Sequence, residues 1–180
     1  MAEQRSGLLS LEERSCEAES EAVSMRLLHD VEQFIYREAR YADELQYDAW
    51  EALWTDDAIY WVPANGDDTD PTTQMSIVFD NRSRISTRIK QLHTGKRHSQ
   101  NPASRLRRVI SNVELLGTED DDILAGANFV IYESRDRGIT LWAGRAEYRL
   151  RHTDEGLRMA RKKVMLVNND RPLSTMSFLV

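Results

Sequence analysis

Residues 157–180 read LRMARKKVMLVNNDRPLSTMSFLV, and the architecture of the whole chain can be worked out from this segment. Short apolar runs bounded by turn formers are typical of strands, and a strand that is apolar on both sides is typical of a sheet covered on both faces. Residues 157–168 are therefore predicted to form such a strand. The alternating positions that support this are Met159, Met165 and Val167 on one side, and Ala160, Val164 and Leu166 on the other.

The strand is predicted to end at residues 168–172, which read NNDRP. Asn and Asp side chains bond to nearby backbone groups, and a proline disfavours helix in the residue before it. The sequence then closes on Phe178, Leu179 and Val180. An apolar end of this kind is expected to be held against the rest of the domain, so that removing it weakens folding or assembly.

Three further strands are predicted upstream, at residues 105–116, 123–133 and 139–150. The connections between the four stretches are short and rich in Gly, Asp and Arg, which favours antiparallel neighbours joined by hairpins. In the third stretch, apolar residues such as Ile139 and Leu141 alternate with Thr140 and Trp142. Both faces of this sheet thus carry apolar surface, and a partner is expected to cover part of the face that the helices leave open.

The first half of the chain predicts three helices. Apolar residues recur at steps of three and four over residues 20–42, interrupted by Glu38, and a short second helix is predicted at 47–54. A brief strand at 58–63 and an exposed loop at 64–73 follow. Asp80 is the predicted N-cap of the third helix and Gly95 its predicted stop. The pattern indicates an α+β domain, with the helices packed on one face of a curved, mostly antiparallel sheet.

Length and composition fit one domain. The chain has 180 residues, of which 41% are hydrophobic and 30% charged, so residues 21–180 are predicted to form a single domain after a flexible arm at 1–20. No apolar run is long enough to span a membrane and no signal peptide is evident, which predicts a cytoplasmic protein without a membrane partner. Cys16 is the only cysteine, whereas a Rieske cluster needs two cysteines and two histidines.

Candidate catalytic residues are few. The histidines are His29, His93, His98 and His152, and no pair of them has the helical i, i+4 spacing of a zinc protease. Solvated or structural roles are favoured for all four, and core positions for Trp50, Trp54, Trp61 and Trp142. Asp43 and Tyr41, at the end of the first helix, form a possible acid and phenol pair for proton transfer, although a polar last turn is favoured. The sequence therefore predicts no catalytic, metal-binding or cofactor-binding residue on this chain.

Charge is distributed unevenly along the chain. The formal net charge is −6, but residues 82–108 contain nine basic side chains and no acidic one, a net +9. Such a segregated field suits docking on an acidic protein surface, nucleic-acid binding or a solvated face. Docking is favoured over nucleic acid because the segment contains no Phe, Tyr or Trp for base stacking. The residues of the segment assigned to a subunit interface are Arg82, Arg84, Arg105, Arg107 and Arg108.

Several motifs together resemble the small (beta) subunits of Rieske-type aromatic ring-hydroxylating dioxygenases. They are FIYREAR at 34–40, WEALW at 50–54, YWVP at 60–63, SNV at 111–113, RKKV at 161–164 and NNDRP at 168–172. The resemblance extends from about Val23 to Val180. It implies a cone-shaped fold like that of nuclear transport factor 2, the ketosteroid isomerases and scytalone dehydratase. It also adds Asn168, Asn169, Asp170 and Arg171 to the expected subunit interface.

The resemblance implies a structural, non-catalytic role in the breakdown of aromatic compounds. The large (alpha) subunit is expected to carry the Rieske 2Fe-2S cluster and the mononuclear iron, and three large and three small subunits are expected to form a hexamer. Ferredoxin and reductase components would supply electrons from NAD(P)H. Two alternatives remain: a free-standing dehydratase or isomerase of the same fold that uses Asp43, Tyr41 and a histidine, and a basic binding module.

Overall fold

The computed structural model describes residues 11–66, 70–94, 104–136, 138–173 and 176–180, with side chains from residue 19 onwards. Three helices and six strands follow in the order α1 (Leu11–Asp43), α2 (Tyr47–Glu51), β1 (Trp54–Pro63), β2 (Ser76–Asn81), α3 (Arg82–His93), β3 (Arg105–Glu119), β4 (Asp122–Arg135), β5 (Gly138–Thr153) and β6 (Gly156–Leu166). None of the helices in these ranges is long and apolar enough to cross a membrane.

The first two helices differ from the prediction at their ends. Helix α1 begins at Leu11, so the second half of the predicted arm is helical, and residues 1–10 lie outside the described part of the chain. The early start lacks apolar periodicity, which is why the sequence pattern misses it. Helix α2 ends at Glu51, earlier than predicted, because Trp54 already belongs to β1.

The predicted N-cap of the third helix is wrong by one residue. Asn81 caps α3, with its side-chain oxygen accepting the backbone N–H of Arg84 at 3.1 Å. Asp80 instead accepts a hydrogen bond at 2.6 Å from the Nε atom of Arg88, which lies within α3. Asn and Asp are equally good N-caps. Because Asp80 is bound by the Arg88 guanidinium, Asn81 caps the helix. The predicted stop at Gly95 lies outside the described residues.

The six strands form one sheet in the order β2-β1-β6-β5-β4-β3. The four predicted strands and their antiparallel hairpin connections are confirmed. Strand β2 escapes prediction because it is short and ends in polar residues. Strand β1 pairs with β2 in antiparallel fashion but with β6 in parallel fashion, which places β6 inside the sheet.

A bulge in β6 changes the faces predicted for this strand. Leu150 is opposite Met159 while Arg149 is opposite Arg161, so Ala160 is an extra residue in β6. Met159 therefore shares a face with the residues at 162, 164 and 166 rather than with Met165. The prediction that Val167 lies in a covered strand is wrong, because its side chain is 76% exposed beyond the end of β6.

The helices cover one side of the sheet, which we call the inner face; the opposite side is the outer face. The core lies between the helices and the inner face and includes Phe34, Trp50, Ile85, Tyr148 and Val164. All four tryptophans are buried, as predicted. Strands β5 and β6 approach each other closely at Gly144, where a Cβ atom would lie 2.2 Å from the Met165 carbonyl oxygen.

Candidate functional site

A polar cluster lies at the centre of the inner face, where helix α1 meets β6. Glu38 and Lys162 are almost completely buried, and the Lys162 Nζ donates to Glu38 Oε1 at 2.8 Å. Trp50 Nε1 donates to the same carboxylate oxygen at 2.6 Å. Lys162 also donates to the carbonyl oxygen of Val180 at 2.8 Å. Helix, sheet and the last residues of the sequence are thus joined through one buried ion pair.

Two tyrosines complete this cluster. The Tyr60 hydroxyl donates to the Val180 carbonyl oxygen and accepts the Val180 N–H, both at 3.0 Å. Burial raises the pKa of Tyr60 to about 12, and burial together with the Glu38 carboxylate raises that of Tyr148 well above its ordinary value. Burial lowers the pKa of Lys162, although Glu38 opposes this change. At neutral pH both phenols are therefore protonated.

The candidate acid Asp43 is engaged in a second buried ion pair. Its carboxylate accepts Arg108 Nε and the Arg108 backbone N–H, each at 2.8 Å, and the two side chains are only 5% and 3% exposed. Arg108 also donates to the Leu179 carbonyl oxygen at 2.8 Å. A carboxylate held in this way is a poor general base, because accepting a proton would break a buried ion pair. Tyr41 is only half-buried at the end of α1.

The described histidines stand apart from each other. His29 lies on α1, His93 at the end of α3 and His152 on β5, and His98 lies outside the described residues. His93 Nε2 is 2.8 Å from Asp48 Oδ1 at the protein surface, and its ring packs edge-on against Tyr47. Across the described ranges, no three His, Cys, Asp or Glu side chains form a group that could hold a metal ion. These residues do not fit an iron centre.

The basic segment is divided between the two faces of the sheet. Arg105 and Arg107 are exposed on the outer face, and within the described ranges neither forms an ion pair. Arg108, one position further along β3, points to the inner face and is buried in its ion pair with Asp43, while its assignment to the subunit interface stays a prediction. Successive residues of a strand face opposite ways, and three neighbouring arginines cannot share one face. Arg82 pairs with Glu51 at 2.7 Å, and Arg84 donates to the Phe79 carbonyl oxygen.

Apolar side chains surround Arg105 and Arg107. Arg107 on β3 pairs with Tyr132 on β4, and Tyr132 pairs with Leu141 on β5. In the neighbouring row, Arg105 pairs with Ser134, and Ser134 pairs with Ile139. The exposed fractions are 46% for Tyr132, 61% for Leu141, 70% for Ile139 and 55% for Val109. We call this surface the outer-face patch; it consists of Arg105, Arg107, Val109, Tyr132, Ile139 and Leu141.

The turn after β6 has one buried member. Asn169 is 8% exposed, and its carbonyl oxygen accepts the Asn65 N–H at 2.8 Å, which ties the turn to the loop after β1. Asn168, Asp170 and Arg171 are exposed. Next to this turn, a cavity of about 500 Å³ opens between the β1–β2 edge and residues 176–180.

Sequence reasoning missed Lys162 and the role of Val180. A signal was present, because Glu38 interrupts the apolar face of α1, and a buried acid requires a cationic or hydrogen-bonding partner. The sequence does not say which of the many basic residues provides it. Lys162 belongs to a run of three, RKK, and only the pairing of β6 shows that its middle member points inward.

Comparison with known proteins identifies the family. The family model described as "Ring hydroxylating beta subunit" matches residues 37–170. The small subunit of anthranilate 1,2-dioxygenase from Acinetobacter baylyi is 32% identical over 152 residues, covering 82% of this chain and 93% of its own. The small oxygenase component of the p-cumate 2,3-dioxygenase system from Pseudomonas putida is 30% identical, covering 76% and 77%.

A solved structure agrees with this assignment. The beta subunit of benzoate 1,2-dioxygenase from Burkholderia mallei superposes with a TM-score of 0.68 at 25% sequence identity, over 78% of this chain and 91% of that one. A protein described as similar to nuclear transport factor 2 with a cystatin-like fold superposes with a TM-score of 0.57. The expected α+β fold is confirmed. On the matched motifs, the fold and the extent of the match, this chain belongs to the family of ring-hydroxylating beta subunits.

Proposed function

We propose that this chain is the structural, non-catalytic small subunit of a dioxygenase that dihydroxylates aromatic carboxylic acids. Membership of the family makes it a subunit of an aromatic ring-hydroxylating oxidoreductase, and a free-standing dehydratase or isomerase is not favoured. The observation that supports the non-catalytic role is that the charged groups on the inner face are bound to each other in buried ion pairs. Glu38, Lys162, Asp43 and Arg108 neutralise each other inside the fold.

The substrate class is inferred from the relatives. Anthranilate, p-cumate and benzoate, for which the three relatives are named, are all aromatic carboxylates. Hydrocarbons are the second candidate, supported by small subunits of benzene and biphenyl dioxygenases that are 24% and 26% identical. The higher identities favour the carboxylates.

The chemistry is assigned to the partner. Small subunits of this family work with large oxygenase subunits, and we place the Rieske cluster and the mononuclear iron on that large subunit. A hexamer of three large and three small subunits in the cytoplasm, supplied by ferredoxin and reductase components, completes the proposal. On this chain, the iron would have to be bound by histidines that lie on separate elements.

Docking is assigned to the outer-face patch. Arg105 and Arg107, which form no ion pair with any described residue, lie among exposed apolar side chains, and this matches an interface with a desolvated centre and a charged rim. Arg82 and Arg84, which have partners within the chain, and the exposed turn residues Asn168, Asp170 and Arg171 remain secondary candidates, whereas Asn169 is mainly structural. The patch predicts a complementary surface on the large subunit that is apolar with acidic groups at its edge.

Co-expression with a large subunit from a dioxygenase of this family tests the proposal. The two chains are expected to co-purify, iron is expected in the complex, and benzoate is expected to be converted to a cis-diol when electron-transfer components are added. The isolated chain is expected to contain no stoichiometric iron and to show no turnover. Turnover or a Rieske-type absorption from the isolated chain would contradict the non-catalytic role, and turnover of benzene but not benzoate would contradict the substrate class.

A further inference from the structure

The cavity beside the turn after β6 has the character of a binding site for a small organic acid. Its volume of about 500 Å³ lies in the range typical of small-molecule pockets. Its walls combine apolar side chains with a smaller number of polar ones, as such pockets usually do. The apolar lining residues are Met75, Ile77, Val78, Leu173, Met176 and Phe178.

One charged side chain in the wall has unused hydrogen-bonding capacity. Arg88 lines the cavity and its side chain is 28% exposed. Its Nε atom donates to Asp80 Oδ2 at 2.6 Å, but within the described ranges its terminal nitrogens form no hydrogen bond. A half-buried guanidinium with free N–H groups is matched best by a planar anion that accepts two parallel hydrogen bonds.

The surroundings of Arg88 narrow the choice of anion. Asp80 already balances one positive charge, and Arg171 at the rim lies 3.9 Å from Asp170, so the cavity has no large excess of positive charge. A singly charged carboxylate fits such a balance better than a phosphate. Met75, Met176 and Phe178 provide thioether and aromatic surface, which favours contact with an aromatic ring.

We propose that this cavity binds a small aromatic monocarboxylate, with Arg88 holding the carboxylate and the apolar wall holding the ring. The small subunit would thereby sense the same class of compound that the proposed function assigns to the whole enzyme as substrate. The aromatic class rests in part on that proposed function. The binding itself is measured on the small subunit without its partner, so either idea can fail alone.

Isothermal titration calorimetry of the purified full chain with benzoate tests the proposal. Benzyl alcohol, which has a ring of the same size but no charge, is expected to bind at least about tenfold more weakly, because it cannot use the guanidinium. The variant Arg88→Gln is expected to weaken benzoate binding about tenfold. Lys90→Gln, an exposed neighbour on α3, is the matched control and should leave benzoate binding unchanged.

A second pair of variants covers the case in which Arg88→Gln destabilises the fold by leaving Asp80 unpaired. Asp80→Asn with Arg88→Gln removes both charges and should also weaken benzoate binding about tenfold. Ile77→Trp, which fills the cavity while leaving the ion pair intact, should abolish it. Binding of benzoate that is unchanged in these variants, equal for benzyl alcohol or absent in the wild type would overturn the proposal. Displacement of benzoate by the large subunit would also overturn it, because the cavity would then be a docking groove.

Discussion

Two neighbouring arginines on opposite faces of the sheet have very different surroundings. Arg107 and Arg108 are adjacent on β3, yet Arg108 is buried in an ion pair with Asp43 while Arg107 is exposed and unpaired among the described residues. General acid–base catalysis needs an acid or a base that is free to exchange a proton. Here the ion pairs of Glu38 with Lys162 and of Asp43 with Arg108 hold the fold together instead.

The largest effect is expected from shortening the chain to end at Ser177. Leu179 and Val180 are buried, and each contributes about 1.5–3 kcal/mol through apolar burial. Their carbonyl oxygens also accept hydrogen bonds from Arg108 and Lys162, whose buried donors would lose a partner. We expect urea unfolding to show a loss of at least about 5 kcal/mol in the free energy of unfolding.

The exposed Val167 provides a control for this truncation. Val167→Ser changes an apolar side chain that is 76% exposed, and it should alter stability by less than about 0.5 kcal/mol. An unchanged melting temperature and oligomer size in the truncated chain would show that the inner face does not depend on its last residues.

The second largest effect is expected from Lys162→Met. This change leaves Glu38 as a buried and uncompensated carboxylate, which costs about 3–5 kcal/mol. The double variant Glu38→Leu with Lys162→Met should recover most of the loss, because a buried ion pair is often replaceable by apolar residues. Urea unfolding of the single and double variants gives the coupling between the two sites.

An exposed ion pair serves as the reference for Lys162. Arg158 contacts Glu155 at the surface, and Arg158→Met should cost no more than about 1 kcal/mol. Equal losses for Lys162→Met and Arg158→Met would mean that the inner pair is as solvated as the outer one.

A smaller, pH-dependent effect is expected at Asp122, where the side chain is buried at one end of the outer face. Arg151 and Arg149 bond to this carboxylate and hold its pKa below the ordinary value of 3.8. Because the folded state then binds fewer protons than the unfolded state, the stabilisation is complete above about pH 4 and is lost as the pH falls through the folded-state pKa. Asp122→Asn should cost about 1–3 kcal/mol at pH 7.

The pH profile separates this ion pair from a packing effect. The difference in stability between wild type and Asp122→Asn should shrink below pH 4, whereas Asp154→Asn, in the exposed turn between β5 and β6, should match the wild type at every pH. A difference that stays constant down to pH 2 would leave the Arg149 and Arg151 contacts without a role in stability.

The smallest effect on stability is expected from charge reversal in the outer-face patch. Arg105→Glu with Arg107→Glu should change the free energy of unfolding by less than about 0.5 kcal/mol. Association with the large subunit should become about tenfold slower at low salt and less sensitive to salt, because complementary fields mainly raise the rate of encounter. Stopped-flow mixing of the separate subunits measures this rate, and turnover by the assembled enzyme should stay near normal.

A matched reversal on α1 tests whether position or net charge matters. Arg26→Glu with Arg37→Glu changes the total charge equally on exposed positions of the helix. If both double variants associate at the same rate, the outer-face patch has no special part in docking.

The sequence predicts the positions of the helices and strands better than it predicts which residues they pack against. The meander of β3 to β6 follows from alternation and turn residues, since both signals are local. The parallel pairing of β1 with β6 and the pairing of Glu38 with Lys162 join residues more than 100 positions apart in sequence. No local pattern records them. Alternation along β3 also separates Arg107 from Arg108, which a count of charges along the sequence does not show.

The parallel pairing of the first and last strands has a consequence for how the protein is made. Trp54 aligns with Met159, so β1 lacks its neighbour on one edge until the ribosome has released nearly the entire chain. Contacts that join such distant parts of a sequence slow folding and leave unpaired strand edges exposed meanwhile. The N-terminal half therefore cannot complete its packing until β6 has been synthesised, because Glu38 lacks its partner Lys162 until then.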